Sequence, residues 1–138
     1  MEGIVLDASA TMPWCFEDEA TRWTEALADR FSLGLQALVP SHWPIEVANA
    51  LLIAQSRGRI TGRQSEEFCE DLAALAILVE PGYPPTELPA LIATAQRYRL
   101  TIYDVAYLEL ARRSGLRLAT LDQRLQTAAW REGLPLLQ

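Results

Sequence analysis

The sequence predicts an α/β fold with a central, mostly parallel sheet of about five strands flanked by helices. Two observations carry this. Short apolar runs of strand length alternate with longer segments of helical period, and the turns between them are short. Nothing in the 138 residues reads as a repeat, a low-complexity tract or a linker. Residues 1–138 are therefore expected to form a single domain, a usual size for one core.

Gly3-Ile4-Val5-Leu6 reads as a short buried strand that stops at Asp7. A short helix is expected from about Ser9 to Phe16. Another runs from about Asp18 to Phe31, where Ala20, Trp23, Leu27 and Phe31 recur at helical spacing. Gly34 breaks the pattern, and Ala37-Leu38-Val39 forms a second strand ending at Pro40. Residues 43–57 make a strongly apolar helix that tolerates Pro44 in its first turn. Because residues 44–54 are apolar nearly all round, that helix is expected to be buried on two sides, either within the core or at an interface with another chain. Arg57-Gly58-Arg59 ends it. Thr61 opens the next helix, which reaches about Leu75, and Gln64 three residues on completes a capping box. Ile77-Leu78-Val79 is a third strand and residues 81–85 a loop. Helices over 86–98 and 102–114 follow, the second closed by Gly115 at a left-handed C-cap. A strand at 117–120, a helix at 122–132, Gly133 and a terminal strand at 134–137 complete the order.

Composition narrows the chemistry. Half the residues are hydrophobic and 22% are charged, as in a packed soluble domain. No apolar run is long enough to span a bilayer, so no membrane association is expected. The N-terminal residues lack the pattern of a secretory signal. Cys15 and Cys69 lie far apart and match no metal spacing, and read as reduced thiols of a cytoplasmic protein. The net charge is −6. A protein that holds nucleic acid by its backbone alone is normally basic, but acids gathered in a metal site give the same balance. All 12 basic residues are arginine, which removes P-loop nucleotide binding and pyridoxal chemistry, both of which need a lysine. The seven glycines form no phosphate loop, and a single histidine, His42, makes a histidine-based zinc site or a Ser-His-Asp triad hard to build. Carboxylates are the main reactive groups left.

Four of them fall where a parallel sheet builds its sites, at the carboxyl ends of strands and the helix starts beyond. Asp7 follows the first strand, Glu46 lies in the helix after the second, Asp104 stands early in its helix, and Asp122 follows the fourth strand. Singly, each has a plain structural role. Asp7 and Asp122 suit helix N-caps. Asp104 suits a capping box with Thr101, although Tyr107, Leu108 and Ala111 share its face. Glu46 and Asn49 form a polar stripe on an apolar helix, either a solvent strip or the wall of a site. Together, four converging carboxylates repel one another unless a cation lies between them, and hard Mg²⁺ or Mn²⁺ suits oxygen ligands. Ser9 would add a hydroxyl or order a water, or simply start a helix.

Four blocks occur in order: Val5-Leu6-Asp7-Ala8-Ser9, Pro44-Ile45-Glu46-Val47-Ala48-Asn49-Ala50-Leu51, Tyr103-Asp104-Val105-Ala106-Tyr107-Leu108-Glu109-Leu110-Ala111 and Leu118-Ala119-Thr120-Leu121-Asp122-Gln123-Arg124-Leu125. They resemble the signature blocks of PIN-domain ribonucleases, specifically the VapC toxins of VapBC toxin–antitoxin pairs, across essentially the whole chain. Trp14 with Glu17-Asp18-Glu19 after it is similar to the usual N-terminal stretch. The resemblance implies a PIN-like fold and an endoribonuclease that uses Mg²⁺ or Mn²⁺ to activate water against an RNA phosphodiester, leaving a 5′-phosphate and a 3′-hydroxyl. Asp7, Glu46, Asp104 and Asp122 match the family's acidic quartet, and Ser9 and Thr120 match polar positions beside it. A VapB-like antitoxin that blocks the site, and a toxin homodimer, are implied as well.

On that reading arginines must handle the RNA backbone. Arg57, Arg59 and Arg63 gather around one turn and Arg97 with Arg99 near another. Trp23, Trp43 and Trp130 are expected to pack, and His42 to be a surface or capping residue. Rival readings are an aspartate-nucleophile phosphotransfer enzyme, which would want a lysine this chain lacks, a non-catalytic PIN-like scaffold that binds protein or RNA, and a processing nuclease without a toxin role.

Overall fold

A computed structural model describes residues 2–138. Four strands, β1 (Gly3–Leu6), β2 (Gln36–Val39), β3 (Ile77–Val79) and β4 (Arg117–Ala119), form one sheet in the order β3-β2-β1-β4. Every pairing is parallel. Ile4 stands opposite both Ala37 and Arg117, and Leu38 opposite Leu78. Parallel neighbours need crossovers, and helices supply them: α1 (Ala8–Thr11), α2 (Arg22–Ser32), α3 (Trp43–Ser56), α4 (Gly62–Ala73), α5 (Leu88–Tyr98), α6 (Ile102–Ser114) and α7 (Gln123–Arg131). The predicted α/β class and flanking helices are those observed. The sheet, however, has four strands rather than about five. Residues 134–137 do not make a strand: Leu136 forms a single parallel bridge to Leu118 before the chain ends. Only Leu118 N–H to Pro135 and Leu137 N–H to Leu118 carry that pairing, and one rung is too short to count as a strand.

Ile4, Val5 and Leu6 are wholly buried, which is why this run carries no polar alternation: helices cover both faces. Capping chemistry sets the boundaries. Thr61 and Gln64 close the predicted capping box on α4, with reciprocal bonds of 3.1 and 2.8 Å. Gly115 takes the left-handed conformation, φ 70°, at the end of α6. The helix expected from Asp18 begins later, because Thr21 and Thr24 form a second reciprocal cap. Residues Glu17–Glu19 make only a 3-10 turn, as do Met12–Trp14 after α1 and Pro85–Glu87 before α5.

The apolar helix α3 departs from a position wholly inside the core of one chain. Trp43, Val47, Leu51 and Ala54 enter the core, but the opposite side is bare, with Ile45 70% and Leu52 61% exposed. It is buried on one side of this chain, not two. Trp130 departs as well: it projects from α7 at 77% exposure instead of packing. Among the described residues no helix is long and apolar enough to cross a membrane. Cys15 and Cys69 are both free.

Candidate functional site

The sheet order reverses at β1, whose partners β2 and β4 lie on either side, so the crevice beyond its carboxyl end is the place where such folds bind ligands. Asp7 is the first residue there. Its backbone N–H still bonds Ala119 at 3.0 Å, which extends the β1–β4 ladder and fixes the carboxylate at the sheet end. The side chain is buried and does not cap α1. The Ser9 and Thr120 hydroxyls both donate to its Oδ2, each at 2.6 Å. Those hydroxyls are themselves oriented, since Leu121 N–H donates to Ser9 Oγ at 2.9 Å and Asp122 N–H to Thr120 Oγ1 at 3.0 Å. Burial raises the Asp7 carboxyl above the ordinary aspartate range, and the nearby Glu46 charge adds to that, against the two hydroxyls.

Glu46 sits in the first turn of α3 and is half-buried. Its Oε1 accepts the Tyr107 phenol at 2.9 Å and lies 2.7 Å from His42 Nε2. His42 occupies the N-cap position of α3, as one of its expected roles had it, but it makes no side-chain cap bond; its ring instead packs against Tyr103 and Tyr107, with centroids 5.3 and 5.1 Å apart. Tyr107 is wholly buried, and its oxygen also accepts Ala8 N–H at 3.4 Å. Burial, then the Asp7 and Glu46 charges, hold this phenol protonated far above its ordinary range. Spacing placed Tyr107 only on the Asp104 face; its hydroxyl as a link between Glu46 and α1 required the fold.

Asp104 stands in the first turn of α6, where its N–H bonds the Thr101 hydroxyl at 3.2 Å. Burial raises its carboxyl, and the charges of Asp122, Asp7 and Glu46 push it further. The charges of the other three acids thus all reach Asp104, and that of Glu46 also reaches Asp7. Asp122 also plays the plain role weighed for it: Oδ1 caps α7, accepting Arg124 N–H at 2.9 Å and Leu125 N–H at 3.1 Å. As placed, no three His, Cys, Asp or Glu side chains among the described residues are gathered closely enough to hold a metal ion. In donor chemistry the set does fit a hard divalent cation, being all carboxylate, partly desolvated and mutually repelling. A depression of about 500 Å³ near the opposite, amino end of the sheet, between Gly3, Gln36 and Leu116, is lined by no carboxylate.

The PIN domain family matches residues 4–131, and the chain belongs to it. PIN domains are generally metal-dependent nucleases, and a nuclease of this kind is the class that the family defines. Among solved structures the chain is similar to the crystal structure of PAE2754 from Pyrobaculum aerophilum, with a TM-score of 0.65 and 22% identity over 93% of this chain and 84% of that one. That likeness is one of fold. Comparison with curated proteins gives no match.

Proposed function

We propose that this chain is a single-domain endoribonuclease dependent on Mg²⁺ or Mn²⁺, acting as the VapC-like toxin of a type II toxin–antitoxin pair. The observation that supports the nuclease reading is that the charges of Asp122, Asp7 and Glu46, carried at separate elements, all reach Asp104. Asp7, Asp104, Glu46 and Asp122 would hold the cation, which when bound supplies activation of water and stabilisation of the leaving oxygen. The chain's own residues prepare that site. Ser9 and Thr120 hold the Asp7 carboxylate in one rotamer, while Tyr107 and His42 flank one oxygen of Glu46. Hydrolysis leaves a 5′-phosphate and a 3′-hydroxyl.

A VapB-like antitoxin covers the site in this reading, and the bare apolar side of α3 supports a homodimer seated on Ile45 and Leu52. Free Cys15 and Cys69 suit a reducing, cytoplasmic setting. A second reading, a non-catalytic PIN-like scaffold for protein or RNA, is favoured by two observations: Asp122 spends an oxygen on its own helix, and no three acids are gathered among the described residues.

Calorimetry separates the two. Antitoxin-free wild type is expected to bind Mn²⁺ saturably, and Asp104→Asn to lose that binding together with RNA cleavage. If the wild type takes up no Mn²⁺ even with RNA present, the scaffold reading replaces the nuclease.

A further inference from the structure

Of the twelve arginines, Arg22, Arg57 and Arg117 have no carboxylate partner among the described residues and do not line the groove between Tyr98 and α7. Arg30, Arg59, Arg63, Arg112 and Arg113 are each paired with a carboxylate. Arg59, in the run that sequence alone singles out, is drawn to Asp18 and Glu19 and covers the Phe16 ring. On the flank where α5 and α7 meet, the balance differs. At the end of α5, Tyr98 faces the side of α7 that carries Arg124 and Arg131, with Arg97 and the left-handed C-cap Arg99 as its chain neighbours. A groove of about 350 Å³ runs between them, lined by Tyr98, Gln123, Arg124, Thr127, Ala128 and Arg131. Glu132 is the acid set against them; it accepts the Tyr98 hydroxyl and lies 3.9 Å from Arg97. Among the described residues Arg99, Arg124 and Arg131 have no carboxylate partner.

Surplus positive charge on one flank of a protein of net charge −6 is the footprint of a polyanion site. Trp130 specifies which polyanion. It lies one turn beyond Thr127 on α7 and is 77% exposed. Guanidinium groups along a groove with a bare aromatic face at its rim suit a single strand, whose phosphates take the charges and whose unpaired bases stack. The walls are polar, with Gln123 and Thr127 between the arginines, and offer a peptide helix few apolar anchors. The groove also starts beside the acids, because Gln123 and Arg124 directly follow Asp122.

We propose that this groove is the track along which single-stranded RNA reaches the carboxylates, with Arg124 and Arg131 on phosphates, Arg97 and Arg99 at the flank, and Trp130 beneath a base. Its destination rests on the nuclease reading; the binding itself does not. The test uses the full chain, a fluorescein-labelled single-stranded oligouridylate and EDTA, so that binding is read by anisotropy without cleavage. Arg124→Ala with Arg131→Ala is expected to weaken binding at least tenfold, and to flatten the dependence of log K on log salt by about 1.4, the contribution of two phosphates on a single strand. Trp130→Ala should weaken it roughly 5- to 100-fold, and Trp130→Phe should restore most of the loss. Arg57→Ala, at the distant end of α3, should bind as wild type.

The proposal is overturned if the wild type does not bind the probe, if the groove variants bind it unchanged, or if Arg57→Ala weakens it equally. It is also overturned if the groove variants lose an acidic protein partner while keeping RNA. Cleavage in Mn²⁺ keeps the two readings apart. Groove-dependent binding without cleavage by the wild type would sink the nuclease and leave the track. Cleavage that the groove variants perform at full rate would do the reverse.

Discussion

Asp7 is 4% exposed, and the Ser9 and Thr120 hydroxyls, with the Ser9 backbone N–H, soften its burial. Its carboxyl is raised chiefly by desolvation. A carboxyl raised on folding contributes stability that is complete below its unfolded value, about pH 4, and is lost as pH rises through the folded value. In metal-free protein at neutral pH, ionised Asp7 is therefore a cost of the site, and Asp104 is a second of the same sign. Asp7→Asn should raise the Tm of the EDTA-treated protein at pH 7 by a few degrees, about 1 kcal/mol for a chain of this size, while abolishing RNA cleavage. The gain should shrink towards pH 4, where both proteins carry a neutral group. Thermal melts across that range check it, and a variant less stable than wild type at pH 7 would show that Asp7 is held by compensating contacts.

Among elements, one phenol joins three helices. Tyr107 on α6 donates to Glu46 on α3 and accepts from Ala8 at the start of α1, the helix that directly follows Asp7. Tyr107→Phe removes the donor from a carboxylate and the acceptor from a buried N–H. Urea unfolding should show a loss of about 1.5–3 kcal/mol, the usual range for a hydrogen bond to a charged group. An unchanged midpoint would mean that Glu46 finds another donor. The elements themselves were largely legible, because their signals are local. Thr61 with Gln64, Gly115, and the runs Ile4–Leu6 and Ile77–Val79 each dictate their own boundary. The misreadings have a common cause. Ala20 shares the helical spacing of Trp23 and Leu27, yet the Thr21–Thr24 cap starts α2 after it. Residues 134–137 are apolar enough for a strand but reach only one rung of β4. Competing local chemistry and strand pairing, not hydropathy, decided both.

At the scale of the molecule, the bare side of α3 is the feature a lone chain leaves unexplained. Ile45 and Leu52 are seven residues apart, on one stripe, and Ile53 adjoins them. If this stripe seats a second copy, wild type should sediment as a dimer, and Ile45→Glu with Leu52→Glu as a folded monomer. A wild-type monomer at micromolar concentration would remove the homodimer from the proposal. The charge pattern belongs to this scale too. The net −6 conceals a groove where arginines go unpaired, and only the fold sets Arg124 and Arg131 in it beside Tyr98, the chain neighbour of Arg97 and Arg99.

By itself the sequence determined the α/β class, the order of elements and the four acids at strand and helix ends, because period, caps and breakers act over a few residues. The absence of lysine likewise excluded whole chemistries without any structure. Tertiary structure alone decided what those residues meet. It aimed two hydroxyls at Asp7, brought His42 and Tyr107 to Glu46, turned Asp122 towards its own helix, and left Trp130 and one side of α3 uncovered. These are contacts between residues up to 113 positions apart, set by strand order and helix packing, and no local pattern encodes them.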